Sequence, residues 1–224
     1  MNLCPDYRKF TLSKIASDEY RHILLLLYWP VYGLFFLYFE RIRVCEYHTI
    51  SSFLDPLIPF VPAFIIPYFF WFVYLIGMLL YTFFYDIPAF KRYMWYIIIT
   101  YSITVIIYFV YPTKQELRPV IPPDASGFAR VVSGLYVFDT NTNVCPSLHV
   151  LGSMAVYFAS LKCRRFQKKP IKAVFLILAV LISVSTVFLK QHSAADVIYA
   201  FILGIACYPL VFCDNKISRF LMKL

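Results

Sequence analysis

The sequence predicts an all-α polytopic membrane protein, a bundle of six transmembrane helices with both termini in the cytoplasm. Three observations support this fold class: an apolar composition, six long apolar windows and an uneven distribution of positive charge. Hydrophobic residues make up 61% of the 224-residue chain, whereas soluble domains are about 45–50% apolar. The mean hydropathy of +0.70 also places the chain in the membrane class.

The six windows define the predicted helices in chain order. A run of about 20 apolar residues crosses the hydrocarbon core of a bilayer. Charged residues are nearly absent from each window, as burial in lipid requires, and the fourth window is short enough that we expect it to extend by a turn or two. The windows cover residues 22–39, 60–84, 93–111, 147–161, 171–189 and 194–213.

The distribution of positive charge predicts the orientation. Fifteen of the 21 Lys and Arg residues fall in the terminal and connecting segments on one side of the membrane. The positive-inside rule places that side in the cytoplasm. Six of these residues lie between positions 162 and 172. A nucleic-acid site is an alternative interpretation, but a basic connection between two spans is typical of a topology signal, so no nucleic-acid partner is expected.

The chain is predicted to form one domain, residues 1–224, with its motif-bearing core at about 55–212. Its longest connection, Pro112–Cys145, lies on the outer side and is rich in Pro, Gly, Asp and Asn. Connections of this length in a compact fold are commonly functional. Within it, residues 126–137 are expected to form a short helix along the membrane interface. Asp55 precedes the Pro-rich start of the second span and is expected to cap a helix.

Three polar clusters, far apart in the sequence, share the outer face under this topology. Lys114–Pro119 follows the third span, Cys145–His149 begins the fourth, and Lys190–Asp196 forms the turn into the sixth. Nothing in the count of positive charges is chosen to bring these clusters together. Their convergence on one face is therefore independent evidence for a functional site.

The third cluster has a chemical interpretation. His192 and Asp196 are four positions apart, so on one helix face their side chains can meet. The carboxylate would then fix the tautomer of the imidazole and stabilise its protonated form. His149, one turn into the fourth span, is placed to protonate a leaving oxygen. A purely structural His–Asp pair is the alternative interpretation.

Four further residues are candidate phosphate ligands. Arg118 and Lys190 supply positive charge and hydrogen-bond donors that suit a phosphate. Ser147 stands at the start of a helix, where free backbone N–H groups form an anion site. Lys114 is either a fourth ligand or a solvated residue that faces lipid headgroups.

The clusters resemble the three signature motifs of the type 2 phosphatidic acid phosphatase superfamily. Those motifs are Lys-x6-Arg-Pro, Pro-Ser-Gly-His and Ser-Arg-x5-His-x3-Asp. The chain is similar to them at Arg118-Pro119, at Pro146–His149, and at Ser185-Thr186 followed by His192 and Asp196. The order, the spacing and the six-span layout all agree with this family.

Two positions depart from the family pattern. Tyr111 stands where the first motif has Lys, and Thr186 stands where the third motif has a phosphate-binding Arg. Lys190 lies four residues after Thr186 and is expected to replace that Arg from the same helix face. The Pro-Ser-Leu-His form of the second motif resembles the inositol phosphorylceramide synthase branch, which favours phosphotransfer over plain hydrolysis.

The resemblance implies a mechanism. His192 would be the nucleophile that forms a phosphohistidine intermediate, and Asp196 would orient it. His149 would protonate the departing alcohol and then activate the acceptor. Arg118 and Lys190, with Ser147, would hold the phosphate. The resemblance implies no metal ion or other cofactor.

The leading functional hypothesis is a lipid phosphatase in a bacterial plasma membrane, with its active site on the outer face and a lipid phosphate as substrate. The closest alternative is a phosphotransferase that passes a phospho-headgroup to a second lipid or alcohol. A metalloenzyme that uses His149, His192 and Asp196 as ligands is a further alternative. A transporter is less well supported, because transporters gather polar residues at mid-membrane. The sequence predicts no oligomeric state.

Overall fold

The computed structural model describes residues 5–125 and 127–223, and this part of the chain is mostly helical. Two short strands, β1 (His48–Thr49) and β2 (Thr113–Lys114), pair in parallel on the side that carries the polar clusters. The described residues form eight α-helices: α1 Tyr28–Leu37, α2 Ile65–Tyr85, α3 Ile87–Val110, α4 Gly127–Phe138, α5 Leu148–Lys162, α6 Lys169–Phe188, α7 Ala194–Phe212 and α8 Lys216–Lys223.

Five helical segments are long and apolar enough to cross a membrane, which confirms five of the six predicted windows. The first, Arg21–Ile42, is a continuous helix in which a 3-10 segment precedes α1 and a π segment follows it. The other four are Pro62–Tyr85, Ile87–Val110, Lys169–Phe188 and Ala194–Phe212.

The sixth window corresponds to α5, which is too short to qualify as a span by length. Its 15 residues extend about 22 Å at 1.5 Å per residue, against a hydrocarbon core of about 30 Å. It is the central helix and packs against α2, α3, α6 and α7. A Cβ atom on its Gly152 would lie 2.7 Å from Tyr101 Oη and 2.9 Å from Trp71 Nε1, so only glycine permits this approach.

Helix α1 packs loosely against the rest of the bundle. α1 has no buried residue, and most of its contacts are with the helical segments that directly precede and follow it. Trp29 and Tyr32 on α1 reach the ring of Tyr101 on α3, with centroid distances of 6.3 and 5.2 Å. Between α1 and α2 lies a cavity whose wall both helices share.

The connection between α3 and α5 contains the predicted short helix, observed as α4, with Ser126 outside the described residues. Val132 and Leu135 are its buried residues, and they pack in a small apolar cluster with Ile65 and Tyr68 at the start of α2. α4 thus closes over the N-terminal end of α2 and leads into the loop that reaches α5.

Candidate active site

The start of α7 holds His192 against Asp196. Asp196 Oδ2 accepts hydrogen bonds from the backbone N–H of the N-cap residue Ser193, at 2.9 Å, and from His192 Nδ1, at 3.2 Å. The predicted contact is therefore confirmed. However, His192 precedes the helix, so the contact arises from a capping box rather than from a shared helix face. With Nδ1 paired to Asp196, Nε2 is the nitrogen of His192 left for reaction.

A second carboxylate, that of Asp55, holds the same turn from the other side. Its Oδ2 accepts hydrogen bonds from Ser193 Oγ and from the Ser52 N–H, each at 2.7 Å, and its Oδ1 accepts one from the Ala194 N–H at 2.8 Å. Asp55 is thus the predicted helix cap, but it caps α7 rather than the span that follows it in sequence. The negative charge also suits the positive end of the α7 dipole.

His149 meets His192 from the neighbouring helix. It is the second residue of α5, and its ring packs against the rings of Tyr68 and Trp71, with both centroid distances at 4.4 Å. The centroids of the His149 and His192 rings are 5.9 Å apart. The sequence-based prediction that two imidazoles and one carboxylate gather at one place is confirmed by this geometry.

Both imidazoles line one cavity of about 750 Å³ that extends from this point between α1, α2 and α3. Its wall near the histidines is polar and includes Glu40, Asp139 and Asn143. The rest of the wall consists mainly of aromatic and aliphatic side chains, and it continues as far as Leu79 and Tyr93. An apolar pocket with a few polar groups at one end is the usual form of a small-molecule site.

Arg118 lies behind this wall. Its guanidinium donates hydrogen bonds to the carbonyl oxygens of Tyr136, Asp139 and Thr140 at 2.8–3.1 Å, and to Oε1 of Gln191. It also stacks over the Tyr136 ring, 4.5 Å from the centroid. Burial lowers the pKa of Arg118, and the nearby Asp139 opposes that effect. Its role as a phosphate ligand stays a prediction, because the guanidinium is held against the end of α4 and the loop that follows it.

Lys190 does not share a helix face with Thr186, so that expectation is wrong. α6 ends two residues earlier, and Lys190 has a left-handed backbone with φ of 54°. The N–H of Gln191 bonds to the Thr186 carbonyl at 2.9 Å, as in a Schellman motif. Lys190 Nζ turns away and donates to the carbonyl oxygens of Asp55, at 2.9 Å, and Ile58. It thereby ties the segment before α2 to the end of α6.

The other two predicted ligands lie in different surroundings. Lys114, on β2, pairs with Glu116 at 2.5 Å and is partly exposed. Ser147 is fully buried at the N-cap of α5. Its N–H donates to the backbone carbonyl of Asp196 at 3.3 Å, which joins the starts of α5 and α7. The roles predicted for Lys114 and Ser147 as phosphate ligands stay predictions.

Sequence reasoning missed two acidic residues of the cavity wall. Asp139 Oδ2 accepts a hydrogen bond from Tyr68 Oη at 2.9 Å, and Glu40 Oε2 accepts two from Thr140, at 2.6 and 3.1 Å. Burial raises the pKa of Asp139, an effect that the Tyr68 hydrogen bond partly opposes. A carboxylate at the end of an apolar window, as at Glu40, is the signal that could have pointed to this site.

Buried side-chain polar atoms without a hydrogen-bond partner concentrate around the two histidines. Of the twelve such atoms in the described residues, seven belong to this region. They lie on Arg118, Asn143, Ser147, His149, Gln191 and Asp196. Because unpaired buried polar atoms cost free energy, a polar ligand would be stabilised here. Across residues 5–125 and 127–223, no group of three His, Cys, Asp or Glu side chains is arranged to hold a metal ion.

Comparison with known proteins agrees with this geometry. A family model described as the PAP2 superfamily matches residues 89–218. The match contains all three polar clusters, and with them every helix start that positions an imidazole. No curated protein and no solved structure matches the chain.

Proposed function

We propose that this chain, which belongs to the PAP2 superfamily of type 2 phosphatidic acid phosphatases, hydrolyses lipid phosphate esters. Members of this superfamily are phosphatases or phosphotransferases. The intermediate in this proposal is a phosphohistidine on His192. The observation that carries the proposal is the pair of adjacent imidazoles, 5.9 Å apart, at the polar end of an otherwise apolar cavity.

The residues divide the chemistry into two steps. In the first, His192 Nε2 attacks phosphorus, the bond from phosphorus to the ester oxygen breaks, and His149 gives its proton to that oxygen. In the second, His149 takes a proton from water, whose oxygen attacks phosphorus and releases His192. Asp196 stabilises the positive charge that develops on the His192 ring.

The shape of the cavity supports a lipid as the substrate. Tyr108 and Tyr93, both on α3, line its two ends, and their fifteen-residue separation corresponds to about 22 Å of helix. One leaflet of the hydrocarbon core is about 15 Å deep, half of roughly 30 Å. A lipid chain could therefore lie along the cavity while its phosphate reaches the histidines.

We also propose the orientation in the membrane. α5 would be a sixth crossing, short because its neighbours surround it, and both termini would be cytoplasmic under the positive-inside rule. The histidines would then face the outer leaflet of a bacterial plasma membrane. Accessibility labelling of single cysteines placed at 46 and 168, in a cysteine-free background, tests this. Labelling of both positions from the same side would contradict the proposed orientation.

A phosphotransferase is the second candidate, and one observation favours it. Glu40 and Asp139 lie in the cavity wall beside the histidines, where carboxylates can accept hydrogen bonds from the hydroxyl groups of an alcohol acceptor. Such an acceptor would replace water in the second step. Both candidates share the first step and the phosphohistidine.

One experiment tests the function and separates the candidates. The purified protein in phospholipid vesicles would be supplied with radiolabelled lipid phosphates, with and without a polyol acceptor, and quenched in alkali, where phosphohistidine survives. We expect label on the wild-type protein and none on His192→Ala. Free phosphate from a monoester, or a labelled phosphomonoester formed from a diester without the polyol, would identify a hydrolase, and label that appears on the polyol only when it is supplied would identify a transferase. Turnover by His192→Ala at the wild-type rate would refute the mechanism.

A further inference from the structure

We infer that the phosphoryl group of the substrate is held by the neutral side-chain amides of Asn143 and Gln191, in a site that selects a phosphate with a single negative charge. This inference rests on the proposed function and narrows it, because it favours lipid phosphodiesters over phosphomonoesters. The argument follows from the charge of the cavity wall and from the two amides.

The cavity wall has little positive charge to offer. Among its described residues there is no Lys or Arg, whereas Glu40 and Asp139 are both present. His149 and His192, the histidines of the wall, are cationic only when protonated. A phosphomonoester carries close to two negative charges above its second pKa of about 6, whereas a diester carries one. Repulsion from the carboxylates therefore penalises the monoester more.

The amide of Gln191 is oriented by its neighbours. Gln191 is 2% exposed and lines the cavity. A guanidinium can only donate hydrogen bonds, so the contact from Arg118 identifies the bound atom as Oε1 and turns Nε2 the other way. Nε2 faces the Tyr68 hydroxyl, but that contact falls short of hydrogen-bond geometry, and no other described residue pairs with Nε2. It is a buried donor beside the nucleophile.

The amide of Asn143 is similarly placed by its backbone. Asn143 is 7% exposed and lines the cavity. Its N–H bonds to the carbonyl of Thr113 at 2.5 Å, and Thr113 Oγ1 accepts from the next two N–H groups at 3.2 and 3.1 Å. The main chain is thus fixed, while Nδ2 and Oδ1 of the side chain have no partner within residues 5–125 and 127–223. The two amides provide donors for phosphoryl oxygens and, in Oδ1, an acceptor for a hydroxyl.

Two ligands that differ by one methyl group test the charge preference. Dodecyl phosphate and methyl dodecyl phosphate share a chain, but only the first can become a dianion. Binding to the purified protein would be measured by calorimetry between pH 5 and pH 8. We expect the methyl ester to bind at least about tenfold tighter at pH 7.5, and the ratio of the two Kd values to approach one below about pH 6. Well below that pH both ligands carry one negative charge, so protein ionisations there affect the two Kd values alike.

Two substitutions test the amides, and two control substitutions elsewhere introduce the same negative charge. Gln191→Glu keeps the acceptor for Arg118 but removes the donor, and Asn143→Asp keeps a residue type that tolerates φ of 52°. Each should weaken binding of methyl dodecyl phosphate by at least about tenfold, the value of a lost hydrogen bond to a charged group. Gln115→Glu and Asn141→Asp, whose amides bond to the carbonyls of Lys190 and Gln115 outside the cavity wall, are the controls and should change it less than threefold.

The outcomes separate the inference from the function. Tighter binding of dodecyl phosphate at pH 7.5 would mean that a cation reaches the phosphate, and it would overturn the inference while leaving the phosphohistidine mechanism intact. Equal effects of Gln191→Glu and Gln115→Glu in folded protein, judged by unchanged Tm, would overturn the role of Gln191. Absence of binding, turnover and phosphohistidine together would refute the proposed function itself.

Discussion

The two sides of the cavity differ in how firmly their side chains are held. α5, which carries His149, has ten buried residues, and α7, which begins just after His192, is fixed at its start by two carboxylates. α1, on the opposite side, has no buried residue. Chemistry requires groups placed to within about 0.5 Å, whereas binding a flexible lipid chain does not. The difference suggests that the packed side performs the reaction and the open side sets which chain fits.

The family match separates the packed side of the cavity from α1 in the same way. Residues 89–218 include α5, α6 and α7 with nearly all of α3, whereas α1 and α2 lie before the match begins. The reacting groups thus belong to the part shared with the family.

The largest effect is expected from His149→Ala. Loss of a general acid lowers kcat by about 10² to 10⁴, provided that the leaving group needs a proton. The loss in kcat/KM, which reports formation of the phosphohistidine, should therefore be large for an alkyl ester and small for a nitrophenyl ester, whose leaving group departs without protonation. Steady-state kinetics on the two esters measure this. An equal loss on both would assign His149 a structural role.

Asp55→Ala is expected to lower stability and, through it, activity, because Asp55 holds the turn that carries His192. It removes the carboxylate that accepts three hydrogen bonds near the start of α7, so unfolding free energy should fall by about 3 kcal/mol or more. Displacement of the His192 turn should lower kcat by about 100-fold. Thermal denaturation in detergent and phosphate release measure the two effects. Asp124→Ala, on the exposed outer connection, should change neither, and a neutral Asp55→Ala would contradict the cap.

A Gly→Ala substitution should destabilise the packed side of the cavity and leave the open side unaffected. In Gly152→Ala the new methyl group would lie 2.7 Å from Tyr101 Oη, so α5 must shift, at a cost of about 1–3 kcal/mol. In Gly33→Ala on α1 the methyl group would have no atom of the described chain within 4 Å. We expect a lower Tm and about tenfold lower kcat for the first variant and wild-type values for the second. Similar Tm values would show that the packed side is not rigid.

The smallest effect concerns chain length. Gly33 lines the cavity, whereas Gly77, on α2, does not, and both have open space around them. Gly33→Leu should shorten the cavity and lower kcat/KM for long-chain substrates by about 3- to 10-fold, with little change for short-chain ones. Gly77→Leu is the matched control. A uniform loss across chain lengths would argue against a chain-binding cavity.

Local pattern was sufficient to predict much of the site. Apolar windows located five membrane-length helices, because burial in lipid acts on composition alone. The spacing of His192 and Asp196 predicted their contact, and the assumed topology brought His149 to the same end of the bundle. These features depend on short-range geometry or on which side of the bilayer a segment occupies.

Long-range hydrogen bonding was not predictable in the same way. Asp55 was expected to cap the span beside it in sequence, yet its partners lie almost 140 residues away. Lys190 was expected to continue α6, but a left-handed residue ends that helix, and no Gly marked the position. The phosphate role of Arg118 stays a prediction, but the hydrogen bonds of its guanidinium to three backbone carbonyls and to the Gln191 side chain could not be predicted from the sequence. Backbone carbonyl groups can accept hydrogen bonds from any Lys or Arg side chain, and the folded structure is needed to show which carbonyls lie close enough.

The exposed first helix has an evolutionary consequence. Since α1 (Tyr28–Leu37) has no buried residue, substitutions along it should rarely threaten folding, and many of them can be tolerated. Those at cavity-lining positions such as Gly33 and Phe36 alter the wall presented to the lipid without displacing the two histidines. New substrate preferences can therefore arise by drift in a single membrane helix.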